Sequence, residues 1–297
     1  MTRPVILDCD TGTDDAIAIM LAALHPDLEL LGVSTVHGNH PVSATTDNTL
    51  RVLDHIGRSD VPVYAGADAP YSPRLAAPDS RILDPHLPLP EPTSKKQEQD
   101  AAPWLAQILS ASPVTFVATG PLTNLAAAID LEPGLVDTVE EVVFLGGTQR
   151  IANVTALAER NVWNDPAAAD KVFTAGFKRL VVVPLDATHR AQISGEEATR
   201  LLALGTPAGK AAARLVHERI EQYADAGTRQ APVHDPLTVA YVIDSGVLSL
   251  QEVHVDVITA AGGAYGRTDV RRGDPNVFLA LDADRIQYVD LLLSTFS

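Results

Sequence analysis

Cysteine is nearly missing from this 297-residue chain: Cys9 stands alone, so no intramolecular disulfide can form, which fits a reducing compartment. Long apolar runs are missing too. No stretch reaches the ~18 uncharged apolar residues that a membrane span needs. Strand-like Val5, Ile6 and Leu7 follow Met1 at once, without the pattern of a secretion signal. The expectation is a soluble, cytoplasmic protein with no membrane partner. Basic charge is also short, because 22 Lys and Arg against 38 Asp and Glu leave a net charge of -16. Such a surface repels a phosphate backbone and offers no basic stripe for counterion release, which excludes nucleic acid as the expected partner. What the chain does have is apolar material, at 46% hydrophobic residues. That fills a large core, and residues 1–297 are expected to form one domain.

Strand-like runs alternate with segments of helical period. Residues 5–7, 28–36 and 61–64 read as strands, and 16–24 and 49–56 as the helices between them. The order βαβαβ predicts a parallel sheet. The pattern resumes with a strand at 114–118, a helix with Leu122, Leu125, Ala126 and Ile129 on its apolar face, and a strand at 142–145. Gly120-Pro121 suits a tight turn with proline in the first helical turn. Residues 181–184 read as a further strand, 196–204, 208–223 and 237–243 as helices, and 253–258 and 277–281 as closing strands. The predicted class is α/β, an open, mostly parallel sheet flanked by helices in a Rossmann-like manner. Residues 66–100 break the alternation, with Pro70, Pro73, Pro78, Pro85, Pro88, Pro90 and Pro92. Long loops inside α/β patterning are usually functional or mobile, so this one is expected to be a lid or rim.

The strongest chemical signal is Asp8-Cys9-Asp10-Thr11-Gly12-Thr13-Asp14-Asp15, placed directly between the first strand and the first helix. Capping the helix accounts for Asp14 or Asp15 but not for four carboxylates together. Like charges this close raise one another's pKa unless a cation compensates, and oxygen-only ligands favour Ca²⁺ or Mg²⁺ over Zn²⁺. His234-Asp235-Pro236 puts another carboxylate before a helix, either as a plain cap or as part of a site. A third polar element runs from Asn153 through Glu159 and Arg160 to Asn161; taken alone, such residues commonly satisfy the backbone of their own loop.

Together these segments resemble the inosine-uridine nucleoside hydrolase family. The Asp10-Thr11-Gly12-Thr13-Asp14-Asp15 box is highly specific, and His37-Gly38-Asn39, Ala118-Thr119-Gly120-Pro121-Leu122-Thr123-Asn124-Leu125, the 153–161 loop and His234-Asp235-Pro236-Leu237 support it over most of the chain. The resemblance implies the nucleoside hydrolase fold and cleavage of the N-glycosidic bond of a ribonucleoside or related N-riboside, releasing ribose and free base. It implies Ca²⁺ held by Asp10, Asp15, Asp235 and the Thr119 carbonyl, a count that suits the six to eight oxygens calcium prefers once a water and two ribose hydroxyls are added. Asp14, Asn39 and Asn161 would bind the ribose diol, and Asn153 and Glu159 the 5' end. Asp10 would also be the base on the metal-bound water, and His234 the acid that protonates the leaving base. A homodimer or homotetramer is implied as well, with a nucleoside as the only small-molecule partner.

The chain departs from the family pattern at several places. Arg160 stands where an aromatic or apolar residue is usual, Leu145 replaces a common methionine and Ala152 a common glycine. The family's His-Gly and Gly-Leu signals in the proline-rich loop give way to Ile82-Leu83-Asp84-Pro85-His86-Leu87. That leaves recognition of the leaving group to other residues, for which Arg219 and Tyr223 are candidates. Neighbours in an extended loop point to opposite sides, so Arg160 is expected at the surface beside Glu159. The other reading turns it inward, onto a 5'-phosphate or an unusual leaving group. Two rival functions remain at this stage. One is a phosphohydrolase of the haloacid dehalogenase type, suggested by Asp8-x-Asp10 but opposed by the order Thr11-Gly12. The other is a pentoside binder without turnover, opposed by retention of every expected ligand.

Overall fold

Strand β1 (Arg3–Cys9) shows why the chain builds a sheet buried on both faces. Side chains alternate along a strand, and here Val5, Leu7 and Cys9 enter one apolar cluster while Ile6 enters another. A strand apolar on both sides needs helices above and below it, the setting of parallel sheets.

The computed structural model describes residues 2–73, 85–223 and 229–297. From β1 the chain runs through α1 (Thr13–Leu24), β2 (Leu28–Thr35), α2 (Val42–His55) and β3 (Val63–Ala65). Helix α3 (Ala101–Ala111) carries it back to β4 (Thr115–Ala118), followed by α4 (Thr123–Leu131), α5 (Leu135–Thr138) and β5 (Glu141–Leu145). Then come α6 (Arg160–Asn164), α7 (Pro166–Thr174), β6 (Leu180–Val183), α8 (Leu185–Thr188), β7 (Gln192–Ser194), α9 (Gly195–Ala203) and α10 (Pro207–Gln222). The last part holds β8 (Gln230–Pro232), α11 (Pro236–Ile243), β9 (Leu248–Val257), β10 (Thr268–Arg271), β11 (Val277–Ala283) and α12 (Arg285–Thr295).

Nine strands form one sheet in the order β10-β9-β11-β6-β5-β4-β1-β2-β3. Pairing is parallel from β11 through to β3, and only β9 runs against its neighbours β11 and β10. The α/β class read from the sequence is therefore the observed one. Strands β7 and β8 pair separately as a small antiparallel ladder. Among the described residues no helix is long and apolar enough to cross a membrane.

Helices α1, α2, α9, α10, α11 and α12 contribute to one core cluster, and α3, α4, α5 and α7 to the other. The two clusters lie on opposite faces of the sheet. Strand order reverses between β1 and β4: the chain leaves β1 toward α1 on one face, and β4 toward α4 on the other. Their outgoing loops diverge, and a crevice opens at the carboxyl ends of these two strands, where open α/β sheets bind ligands.

Some elements differ from the sequence reading. Helix α2 starts at Val42 rather than near residue 49. Thr45, Thr46 and Thr49 fill its first turns, and threonine is a poor helix former. Their hydroxyls instead bond locally and across to the sheet, as in Thr46 Oγ1 to the Val42 carbonyl at 2.7 Å and Thr35 to Thr46 at 2.7 Å. Helices α3 and α12 were not foreseen, the first because it follows the proline-rich loop directly.

The amino ends of the strands, opposite the crevice, are clamped by one carboxylate. Buried Glu141 accepts from Arg3 Nη2 at 2.6 Å, Arg179 Nε at 2.6 Å and the Tyr241 hydroxyl at 3.0 Å. It thus ties β1, β5, the start of β6 and α11. Both arginine side chains are 38% exposed, which screens the pairs, so Glu141→Ala is expected to cost about 2–3 kcal/mol rather than the larger loss of a fully buried network. A urea unfolding curve with a lower midpoint and unchanged slope checks this, and an unshifted midpoint contradicts it.

Candidate active site

The crevice widens into a cleft of about 580 Å³ whose walls include Asp10, Asp14, Asn39, Thr119, Asn161 and Asp235. Its floor is built at the end of β1. Asp8 points into the sheet, where it accepts from Ser34 Oγ at 2.6 Å and Asn124 Nδ2 at 2.8 Å. Burial pushes its pKa up to about 7. Asn124 also donates to the Thr35 carbonyl at 3.0 Å and accepts from the Ala67 amide at 2.9 Å. This one side chain therefore joins the ends of β1 and β2 to the start of the proline-rich loop.

Asp10, two residues on, faces the cleft. Its Oδ2 accepts from the Asn39 amide at 2.6 Å, and the chain reaches that position only because residue 38 is glycine. A Cβ on Gly38 would lie 2.0 Å from Asp10 Oδ2. Asp15 opens α1 as part of its capping box, accepting from the Gly12 amide at 2.9 Å through Oδ2 and from Thr119 Oγ1 at 2.7 Å through Oδ1. Asp235 arrives at the start of α11, which packs in the same core cluster as α1. Asp14, Asp15 and Asp235 each bring one carboxylate oxygen within 4.8 Å of the others.

These carboxylates differ in their compensation. Asp14 meets Arg219 Nη2 at 3.2 Å. Burial, the largest single cause, would raise its pKa, but the guanidinium together with His234 and backbone hydrogen bonds holds it below the ordinary value. Asp10, Asp15 and Asp235 are all pushed up, primarily by burial and then by one another's charge or that of Asp14, with Asp15 reaching about 6. The group whose oxygens converge is Asp14, Asp15 and Asp235, and every donor is an oxygen, a set that fits a hard divalent cation; Asp10, expected from the sequence as a ligand, lines the same cleft but stands outside that group. Asp14, expected on the ribose, stands within the same cluster but already holds a cationic partner.

The 153–161 loop supplies the opposite wall. Asn161 Nδ2 donates to the Thr119 carbonyl at 2.7 Å and the Leu145 carbonyl at 3.0 Å, which turns its own Oδ1 free for a hydroxyl donor. The Thr119 carbonyl retains a second lone pair for a cation. Glu159 caps α6, taking the amides of Asn161 at 2.8 Å, Gly147 at 3.0 Å and Val162 at 3.1 Å. Its carboxylate is thereby committed largely to backbone, although it still lines the cleft. Asn153 is exposed and accepts from the Arg160 amide at 2.9 Å. Arg160 itself corrects an expectation. It is not an extended-loop residue but the first of helix α6, so strand-like alternation does not apply, and it is half-buried on the cleft wall.

His234 is buried, with Nδ1 sharing a 2.6 Å hydrogen bond with the Thr188 hydroxyl. Burial, reinforced by Arg219, drives its pKa down to about 3, so it is neutral at physiological pH. Around it gather His189, Tyr223 and Arg219, the last with its guanidinium 5.8 Å from the Tyr223 ring centre. Glu218, Arg219, Gln222 and Tyr223 all line the cleft from the last turns of α10. Their one- and four-residue spacing along a helix could have placed all four on one face in advance; nothing local marks Thr188 or His189.

The proline-rich loop reaches the rim. Pro85, His86, Leu87 and Pro88 line the cleft, held by Asn48 through the Pro85 carbonyl at 2.8 Å and the Leu87 amide at 2.8 Å. His86 meets Asp47 at 3.0 Å. Residues 74–84, including Ile82, Leu83 and Asp84, lie outside the described residues.

A crevice at a sheet's reversal point, lined by buried carboxylates and hydrogen-bonding amides, is a setting that suits a divalent cation and a polyhydroxylated ligand. The profile of the inosine-uridine preferring nucleoside hydrolases matches residues 5–290. The pyrimidine-specific ribonucleoside hydrolase RihA of Shewanella woodyi is 38% identical, with 100% of both chains covered. Its counterpart from Escherichia coli is 37% identical over 98% of this chain and 97% of its own. Among solved structures, a plant nucleoside hydrolase superposes with a TM-score of 0.88 at 28% identity, covering 100% of this chain and 99% of its own. The purine-preferring ribonucleoside hydrolase of Gardnerella vaginalis gives 0.89 at 26%, covering 99% and 98%. The chain belongs to the inosine-uridine preferring nucleoside hydrolase family. It is accordingly an enzyme that cleaves the N-glycosidic bond of nucleosides, which disposes of the phosphohydrolase and inert-binder readings.

Two outcomes follow from this geometry. Gly38→Ala should displace Asp10 and weaken divalent-metal binding at least about tenfold, ~1.4 kcal/mol, in calorimetric titration; unchanged affinity would detach Asp10 from the metal site. The second outcome concerns pH. A carboxyl whose folded pKa is raised stabilises the fold below its unfolded value and loses that contribution as pH climbs through the folded one. His234, depressed to about 3, and His189, also depressed, work oppositely, gaining stability as pH rises through their ordinary value near 6.5. That gain is complete in the upper part of the window from pH 6.5 to 8.5, where the raised carboxyls still lose theirs, so the melting temperature in chelator should fall toward pH 8.5. Divalent metal should raise the melting temperature more at pH 8.5 than at 6.5. A metal-induced shift that is absent or independent of pH would contradict the uncompensated cluster.

Proposed function

We propose that the chain is a calcium-dependent hydrolase of pyrimidine ribonucleosides, yielding ribose and free base. The observation that supports a metal is the convergence of the buried carboxylates Asp14, Asp15 and Asp235 beside Asp10 on the cleft wall, of which only Asp14 has an arginine at ion-pair distance. Pyrimidine preference is supported by whole-length relatives named for that specificity. Asp10, Asp15, Asp235 and the Thr119 carbonyl would hold the ion, since calcium accepts many oxygen ligands in flexible geometry. When bound, the ion makes a water more acidic and anchors the ribose diol.

The chain's own groups do the rest. Asp10, aimed by the Asn39 amide, takes the proton from the attacking water, and the oxygen bonds to the anomeric carbon as the carbon–nitrogen bond breaks. Asp14, Asn39 and Asn161 receive the ribose hydroxyls, while Asn153 and Glu159 face the 5' end. Positive charge grows on the ribosyl ring in an oxocarbenium-like transition state. The fixed carboxylates and the Asn161 amide oxygen stabilise it without reorganising. The departing base collects negative charge and meets His234. Because His234 is neutral at physiological pH, it offers a hydrogen bond to the leaving group rather than a stored proton; the base takes its proton from solvent water, and the proton that Asp10 removed from the attacking water passes to solvent in return.

Two measurements test this reading. Uridine, cytidine and inosine are incubated with calcium-loaded enzyme and released ribose is quantified; faster release from inosine than from uridine would reverse the proposed base preference. Asp10→Asn should fold and keep less than a tenth of kcat, since even a tenfold loss is only ~1.4 kcal/mol of barrier. Greater retention would remove the base role.

A further inference from the structure

Among the described residues two arginines line the cleft, and they are placed differently. Arg219 is spent on Asp14 and the Pro232 carbonyl, at 3.2 and 3.3 Å. The Arg160 side chain has no ion pair or hydrogen bond among the described residues; only its backbone amide is engaged, by Asn153. Its charge reaches Asp10 and Glu159 through space. An arginine cannot shed its proton. Asp10 and Glu159 offset this charge only through space, with no ion pair, which leaves the guanidinium fork for a neutralising anionic group that a substrate brings. A surface arginine would need no such account, but Arg160 is half-buried on the cleft wall.

Where that neutralising group sits follows from the rest of the site. His234, His189, Tyr223 and Arg219 form one group, which on the reading above receives the leaving base. Arg160 has no contact with that group among the described residues; its amide bonds to Asn153 and it follows Glu159, on the wall that the reading above assigns to the 5' end of the ribose. The first helical turn fixes its backbone, and the planar fork of its guanidinium matches two oxygens of one anion. We propose that Arg160 adapts this cleft to N-ribosides carrying an anionic group on the 5' carbon, a 5'-phosphate being the chemistry that fits. The proposal rests on the ribonucleoside hydrolase reading and narrows its substrate class. The reaction is unchanged in balance: water adds to the anomeric carbon, the carbon–nitrogen bond breaks, the base leaves with a proton, and ribose 5-phosphate replaces ribose.

The test compares kcat/KM for uridine 5'-monophosphate and uridine in calcium-loaded wild type, Arg160→Gln and Arg160→Lys. Wild type is expected to release ribose 5-phosphate, and the ratio of monophosphate to nucleoside should fall at least about tenfold in Arg160→Gln. In Arg160→Lys, which keeps the charge but loses the fork, the fall should be smaller, and this variant carries the comparison if the glutamine protein does not fold. Uridine cleaved with no product from the monophosphate overturns the proposal and leaves the nucleoside hydrolase reading standing. A ratio unmoved in both variants also overturns it, with Arg160 then acting on the base or on neither end. Failure of wild type to cleave uridine, cytidine, inosine or the monophosphate removes both readings at once.

Discussion

Mutual repulsion among buried carboxylates is the constraint that organises this molecule. Asp8, Asp10, Asp14, Asp15 and Asp235 are all nearly inaccessible to solvent, and an uncompensated charge in such a place costs several kcal/mol. The fold answers this cost differently at each position. Asp8 is surrounded by hydroxyl and amide donors on one oxygen, while its Oδ2 has no partner, a state that suits a carboxyl pushed up to about 7. Asp14 receives an arginine. Asp10, Asp15 and Asp235 have no arginine at ion-pair distance among the described residues, a deficit that a bound cation would make good.

Convergence of these groups is a product of topology rather than of local sequence. Asp10 and Asp15 flank the turn out of β1, Thr119 follows β4, Asn161 lies in α6 and Asp235 opens α11. Only the reversal of strand order beside β1 puts the first two loops at one crevice with room between them. The approach is so close that residue 38 has no space for a side chain. Stability and site are built at opposite ends of the same strands: Glu141 and its arginines hold the amino ends, and the carboxyl ends are left to accommodate charge.

How much of this was legible beforehand depended on how local each signal was. The strand pattern around residues 5–7, 28–36, 114–118 and 142–145 is carried by consecutive apolar residues, and those strands lie within a few residues of expectation. The first turn of α2 was hidden because its threonines bond to backbone and to Thr35, information that exists only once the sheet is in place. The acidic box and His234-Asp235-Pro236 were visible as motifs, but the pairing of Asp14 with Arg219 spans about two hundred residues and has no local trace. Arg160 was misplaced for a related reason. Whether Glu159 ends an extended loop or caps a helix is decided by the amides of Gly147 and Val162, which the loop sequence does not reveal.

Charge is also distributed along the cleft in a way that suits bond cleavage between a ring that becomes positive and a base that becomes negative. On the proposed reading the carboxylates, with Asp10 and Asp15, lie under the sugar, whereas neutral His234 and the Arg219–Tyr223 pair face the departing base. A charged histidine there would have drawn on the same carboxylates and weakened their hold on a cation. Keeping it neutral by burial leaves their field directed at the ion and the ribosyl ring. Arg219 serves both halves: it neutralises Asp14, so that one carboxylate fewer competes for the metal, and the same charge helps hold His234 in its neutral form. Removing that guanidinium would therefore disturb the two ends of the cleft together, one by adding an uncompensated carboxylate and the other by making the histidine easier to protonate.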